Sequence, residues 1–289
     1  MEAGAAIGQP PACENCAAEL SGPHCHACGA PDAGARDRST RRYLAEAVGE
    51  ITDLEHSKLL RTLGALLFRP GRLTRDFFSA RRVRYLRPLP LCLAIFALNF
   101  FVFGAGNEVS LFDSQRQAQV QASAASSLGL KRELLLQTRV EAQEQRTKVP
   151  AAEIYNRIDE RWTANATLAQ IPIIILLGLL LKLIYWRTPR HLVEHLTFSL
   201  HFISFQVLTV VLLWPLYRVV GLDLSGPAMA IAGLKYAIDI AYLYVAIRSF
   251  YGGSTRGALV RAALVFGGYL LIYSGAHGVA SMTAVETVL

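Results

Sequence analysis

Five apolar runs, Leu89 to Phe103, Leu168 to Trp186, Leu196 to Tyr217, Ala228 to Ile247 and Leu259 to Ala280, fill most of the C-terminal two thirds of this 289-residue chain. A hydrocarbon core about 30 Å thick is crossed by about 20 helical residues, and only helices and closed barrels satisfy their backbone polar groups there. Runs of this length predict an all-α membrane protein with about five transmembrane helices. The first run is the shortest and is bounded by Pro88 and Pro90 at one end and Gly104 and Gly106 at the other. Composition agrees: 53% of residues are hydrophobic and 18% charged, with a mean hydropathy of +0.32. An ordinary soluble domain and a disordered tail are both excluded on that balance.

Flanking charge sets the expected orientation, because Lys and Arg are retained on the cytoplasmic side. The segment 36–87 holds 13 basic residues, and the turns at Arg187 and Arg190 and at Arg248 and Arg256 are also basic. The turn near Asp223 has only Arg218, and no basic residue follows Ala280. The N-terminus is therefore expected inside and the C-terminus outside, in a bacterial cytoplasmic membrane. No apolar segment behind a basic stretch marks a cleavable signal peptide in the first 35 residues. The segment 107–166 carries eight basic and eight acidic residues and reads as a solvated helical loop on the outer side. Glu141 with Gln145 and Glu144 with Lys148 have the spacing of helix-stabilising pairs.

Three domains are expected: 1–35, 36–87 and the transmembrane region 88–289. Residues 36–87 have an amphipathic pattern, with Leu59, Leu60, Leu63, Leu66 and Leu67 recurring at helical steps until Phe68-Arg69-Pro70-Gly71 interrupts it. Arg69, Arg72, Arg75, Arg81, Arg82, Arg84 and Arg87 face a single acid, Asp76, in a stretch that also carries Phe77, Phe78 and Tyr85. A basic, aromatic juxtamembrane segment suits the anionic headgroups of a membrane leaflet. The net charge of +7 is concentrated there, so no nucleic-acid partner is expected.

Residues 1–35 are too rich in Gly, Pro and Ala to bury a core unaided. Four cysteines stand in the order Cys13-x2-Cys16-x8-Cys25-x2-Cys28. Two thiolates three residues apart grip one tetrahedral ion, and two such knuckles close a four-sulfur shell, which predicts a minimal ribbon around a structural Zn2+. Two disulfides, an iron–sulfur site and four unrelated thiols are the alternatives; a cytoplasmic location disfavours the first. His24 and His26 are not needed as ligands. Cys92 reads as a packing residue within the first span.

The ribbon stands before Leu59-Leu60-Arg61-Thr62-Leu63, Phe68-Arg69-Pro70-Gly71 and Arg81-Arg82-Val83-Arg84-Tyr85-Leu86-Arg87-Pro88, and Glu194-His195-Leu196-Thr197-Phe198-Ser199-Leu200-His201 follows at a later span. In these motifs the chain resembles a bacterial family of uncharacterised zinc-ribbon membrane proteins, catalogued as a domain of unknown function. The resemblance covers residues 13 to about 205 and implies this architecture without an activity. Ala17 and the long Gln/Ala-rich loop depart from the pattern.

Ionisable groups within spans are functional candidates by default. Lys235 and Asp239 are four apart on one helix face and can neutralise one another, in a structural pair or in a relay. Lys182 is close enough to a span end to snorkel. Glu194, His195 and His201 gather near the cytoplasmic end of the third run, where His191 and His195 have metal-ligand spacing; packing or interfacial roles are the plainer reading. Nucleotide-binding loops, nucleophile elbows and zinc-protease motifs are all lacking. The first functional expectation is a non-enzymatic scaffold or regulator, its ribbon a docking head for a protein partner. The second is a small transporter or channel using Lys235, Asp239 and His201, and the third an intramembrane metal-dependent enzyme.

Overall fold

The computed structural model describes residues 12–13, 18–19, 25–27, 56–79, 85–104, 127–220 and 226–289. Among them are eight helices: α1 (His56–Phe68), α2 (Arg72–Phe78), α3 (Pro88–Gly104), α4 (Ser127–Thr147), α5 (Ala151–Ile184), α6 (Leu192–Val220), α7 (Gly226–Tyr251) and α8 (Thr255–Val288). The remaining regular feature among the described residues is an isolated antiparallel bridge between Ala12 and Glu19. Four helices, α5 to α8, are long and apolar enough to cross a membrane, which marks a multi-pass membrane protein. Helix α3 is equally apolar but has 17 residues, about 26 Å of helix, and falls short of the other four.

Helix α6 is the hub. In its most apolar window 61% of residues are buried, against 28–33% in the other three long helices, and α2, α3, α5 and α7 all pack on it. Register follows from individual contacts. Lys235 meets Gln206 while Tyr251 meets His195, so α6 and α7 run antiparallel. Gly178 lies against Leu196 and Gly268 against Leu180, which makes α5 antiparallel to both α6 and α8. Cys92 neighbours Ser204, while Phe96 and Asn99 share a cavity with Val207 and Val210, so α3 runs parallel to α6.

Helices α5 and α8 have 34 residues each, about 51 Å, and exceed a hydrocarbon core by several turns. The excess is used. Residues 151–166, read from sequence as part of a solvated loop, form the first turns of α5, and Ile154, Ile158 and Trp162 bury with Val140 of α4 and Ala284 of α8 in a second apolar cluster. Asn165 Nδ2 donates to Ala280 O at 3.3 Å and Thr283 Oγ1 at 3.1 Å, tying the two long helices together at that end. Helix α4 stops where Lys148 takes a positive φ of 61° before Pro150. Glu144 then accepts a hydrogen bond from the Ala151 N–H at 3.1 Å and caps α5.

At the opposite end, Arg69-Pro70-Gly71 turns the chain between α1 and α2, with Gly71 at φ +75°. A Cβ there would stand 2.5 Å from Ala246 O, so only glycine lets α2 approach α7 this closely. Thr62 Oγ1 accepts from the Leu86 N–H at 3.0 Å and fixes the chain entering α3 against α1.

Candidate functional site

The polar residues of the membrane region fall into three separate places. At the α1–α2 end, Glu194 pairs with Arg190 and accepts the His191 N–H at 3.1 Å, closing the first turn of α6. Arg190 also donates to Phe250 O at 2.8 Å and lies 4.1 Å above the Phe250 ring. His195 is fully buried one turn further, its Nδ1 2.8 Å from Tyr251 Oη, and Tyr251 stacks on Tyr185 at 3.9 Å between ring centroids. These contacts seal a helix end against its neighbours. His191 is exposed, whereas His195 is buried.

His201, two turns deeper, does not join Glu194 or His195. Its Nδ1 lies 2.8 Å from Thr74 Oγ1 of α2, in a fully buried contact between the juxtamembrane helix and the hub. Lys182 reaches Arg190 O at 2.8 Å from the end of α5.

The third place has room for a ligand. Toward the other end of the bundle, α3, α5, α6, α7 and α8 enclose a cavity of about 420 Å³. Pockets of this size accept drug-sized molecules. Its floor is Lys235, whose Nζ donates to Gln206 Oε1 and Asp239 Oδ2, each at 2.6 Å. Asp239 is 1% and Gln206 4% exposed, and 15% of the Lys235 side chain remains open. Among the described residues, neither Gln206 Nε2 nor Asp239 Oδ1 meets hydrogen-bond geometry with a partner. A buried pair of this kind holds because each charge is compensated within contact distance.

Above the floor the walls become aromatic. Phe96 and Phe100 come from α3, Trp162 from α5, Trp214 from α6, Tyr236 from α7, and Tyr269 and Tyr273 from α8. His277 adds a polar group, its ring 4.0 Å from that of Tyr273 and its Nδ1 buried without a hydrogen-bond partner among the described residues. Phe100, Val210 and Tyr236 line the cavity and are also exposed among the described residues.

Sequence reasoning singled out Lys235 and Asp239 of this group and missed Gln206, His277 and the aromatic walls. An amide in the middle of an otherwise apolar run was a usable signal for Gln206. The walls carried none, since aromatic residues in a span are common packing groups.

The cysteine cluster is described only in part. Cys13 and Cys25 are buried, and the Cys13 N–H donates to Ala18 O at 2.7 Å beside the Ala12–Glu19 bridge. Cys16 and Cys28 lie outside the described residues. Among the described residues no three His, Cys, Asp or Glu side chains converge on one metal position. Of the basic stretch, Arg69 and Arg75 are exposed, Arg72 Nε is 3.4 Å from Asp76 Oδ2, and Arg87 is half-buried; Arg81, Arg82 and Arg84 lie outside the described residues.

A family model described as a protein of unknown function (DUF3667) matches residues 56–100. The match takes in α1, α2 and most of α3, and so includes the Leu59–Gly71 motif and the turn that seats Gly71 on Ala246. It fits an uncharacterised family and brings no activity with it. No curated protein and no solved structure matches the chain.

Proposed function

We propose that this chain is a cytoplasmic-membrane protein that binds a small molecule inside its spanning bundle, as a small transporter does. One observation supports the reading above the others: the cavity floored by Lys235, Gln206 and Asp239. A purely structural pair needs no space beside it, since packing around such a pair normally closes. Here the ammonium borders a cavity of about 420 Å³. Native mass spectrometry from mild detergent tests the proposal. Wild type is expected to retain a small-molecule adduct that Val207→Trp, which puts an indole into the cavity, loses or weakens. Identical spectra for the two would overturn it.

The head is a second element of the proposal. Four cysteines at ribbon spacing, two of them buried and one beside an antiparallel bridge, favour one structural Zn2+ held by Cys13, Cys16, Cys25 and Cys28. The closed shell would fold the head and leave no open coordination position, which suits docking a protein partner. Metal analysis should find one zinc per chain, lost in Cys13→Ser or Cys28→Ser; stoichiometric iron, or no metal, would refute it. The bundle is read with five spans, α3 included, and the N-terminus inside. The basic segment from Arg69 to Arg87 is then at the anionic inner leaflet. Reporter fusions at Gly4, Gln143 and Leu289 test this orientation, and an intracellular Gln143 would remove α3 from the spans.

A further inference from the structure

Resting on the binding reading above, we infer that the cavity takes an uncharged amphiphile, an apolar body with a hydroxyl or carbonyl oxygen in its head, drawn from the surrounding lipid phase. Charge decides the head. Lys235 is the floor group still open to the cavity, and Asp239 and Gln206 are sealed behind it. An ammonium has three N–H donors; two go to Gln206 Oε1 and Asp239 Oδ2, and the third is available to an acceptor on a ligand.

The Lys235 charge, however, is already balanced by Asp239 at 2.6 Å. A carboxylate or phosphate entering the cavity would put a second anion against one cation, leaving an uncompensated negative charge among aromatic walls. A cationic head would meet Lys235 itself. Either excess is costly in a medium of low dielectric constant. A neutral oxygen accepts the third N–H and changes no net charge.

The walls decide the body. Phe96, Phe100, Trp162, Trp214, Tyr269 and Tyr273 offer extensive apolar surface. Asn99, Thr163, Thr167 and Gln170 put polar groups between them, but the phenyl and indole faces offer water few hydrogen bonds and would desolvate an alkyl or ring system. Phe100, Val210 and Tyr236, exposed as well as lining the cavity, would give such a molecule its way in from the bilayer.

Bromine quenches tryptophan on contact, and two of the three tryptophans line the cavity. The test uses Trp186→Phe full-length protein in phosphatidylcholine nanodiscs, so that the remaining emission comes from Trp162 and Trp214. Three probes share one tail: ω-bromoundecanol, ω-bromoundecanoate and ω-bromoundecyltrimethylammonium. The alcohol is expected to quench with a saturable component, at least threefold greater than the carboxylate or ammonium at equal membrane concentration. Adding Lys235→Leu with Asp239→Leu, which removes the floor and both charges together, should abolish that component. A charged probe that saturates in preference to the alcohol would overturn the neutral assignment while leaving the binding reading intact. Saturable alcohol quenching unchanged in the double-leucine protein would also overturn it, because the floor would not be the recognition element. If no probe quenches saturably, both this assignment and the binding reading fail.

Discussion

Thr74 and His201 are 127 residues apart in sequence and share a buried hydrogen bond of 2.8 Å. The contact joins α2, a seven-residue helix too short to be stable alone, to the hub helix of the bundle. Together with Gly71 against Ala246 it holds α2 against α6 and α7. Docking at this end is therefore built into the fold.

Thr74→Val keeps the shape of the side chain and strands His201 Nδ1 in an apolar setting. A loss of about 1–3 kcal/mol is expected, the cost of an unsatisfied buried polar group. Thr74→Ser, which keeps the hydroxyl, should lose much less. Unfolding in mixed micelles with increasing denaturing detergent would measure both. Equal stability of Thr74→Val and wild type would show that the hydrogen bond contributes nothing to docking.

Two glycines of the same segment should respond in opposite ways to alanine. At Gly71 the new Cβ meets backbone at 2.5 Å and the residue sits at φ +75°, so α2 must withdraw from α7. Left-handed backbone alone costs an L-residue about 1–2 kcal/mol. Gly64, in the interior of α1, has nothing within 4 Å of its ideal Cβ, and Gly64→Ala should gain about 0.5–1 kcal/mol. Limited proteolysis at the exposed Arg69 and Arg75 would report undocking. Cleavage no faster in Gly71→Ala than in Gly64→Ala would contradict the close approach.

What could be read in the sequence was whatever length and period express. Apolar runs gave α5 to α8 because a bilayer demands a minimum length, and Phe68-Arg69-Pro70-Gly71 marked the break between α1 and α2 because proline and glycine change the backbone locally. Contacts between distant residues were not legible. Nothing in Thr74 or His201 alone names the other as partner. Trp162 was assigned to a solvated loop because its companions, Val140 and Ala284, are each more than 20 positions away. The cavity was hidden for the same reason: five helices contribute to it, and its polar floor appeared as one i,i+4 pair.

That pair makes a third prediction. Replacing Lys235 or Asp239 singly by leucine leaves the other charge without its compensating partner and should cost about 3–5 kcal/mol, the range found when one member of a buried pair is removed. Changing both to leucine should recover most of the loss, giving a large coupling energy in a double-mutant cycle. The cycle can be run by thermal unfolding in nanodiscs. Additive single effects, with no recovery in the double variant, would mean that solvent in the cavity and not the partner carries each charge.

The end of the bundle where α4 packs should behave as a separate unit. Val140, Ile154, Ile158, Trp162 and Ala284 form their own cluster, apart from the main core centred on α6. Ile158 is 0% exposed, and its truncation to alanine leaves a cavity worth about 2–5 kcal/mol. Helix α4 turns Leu134 and Leu135 outward and meets this cluster through Val140 and Leu136, with Glu144 capping α5 at Ala151. The loss is thus expected to appear as local opening, with small clusters releasing before the core. Hydrogen exchange on Ile158→Ala should show faster exchange in α4 and the first turns of α5, with α6 and α7 unchanged. Asn165 marks the limit of the effect, because its bonds to Ala280 and Thr283 hold α5 to α8 independently of α4. Faster exchange extending through α6 would show that the two clusters unfold as one, and that the long helices transmit the defect past Asn165.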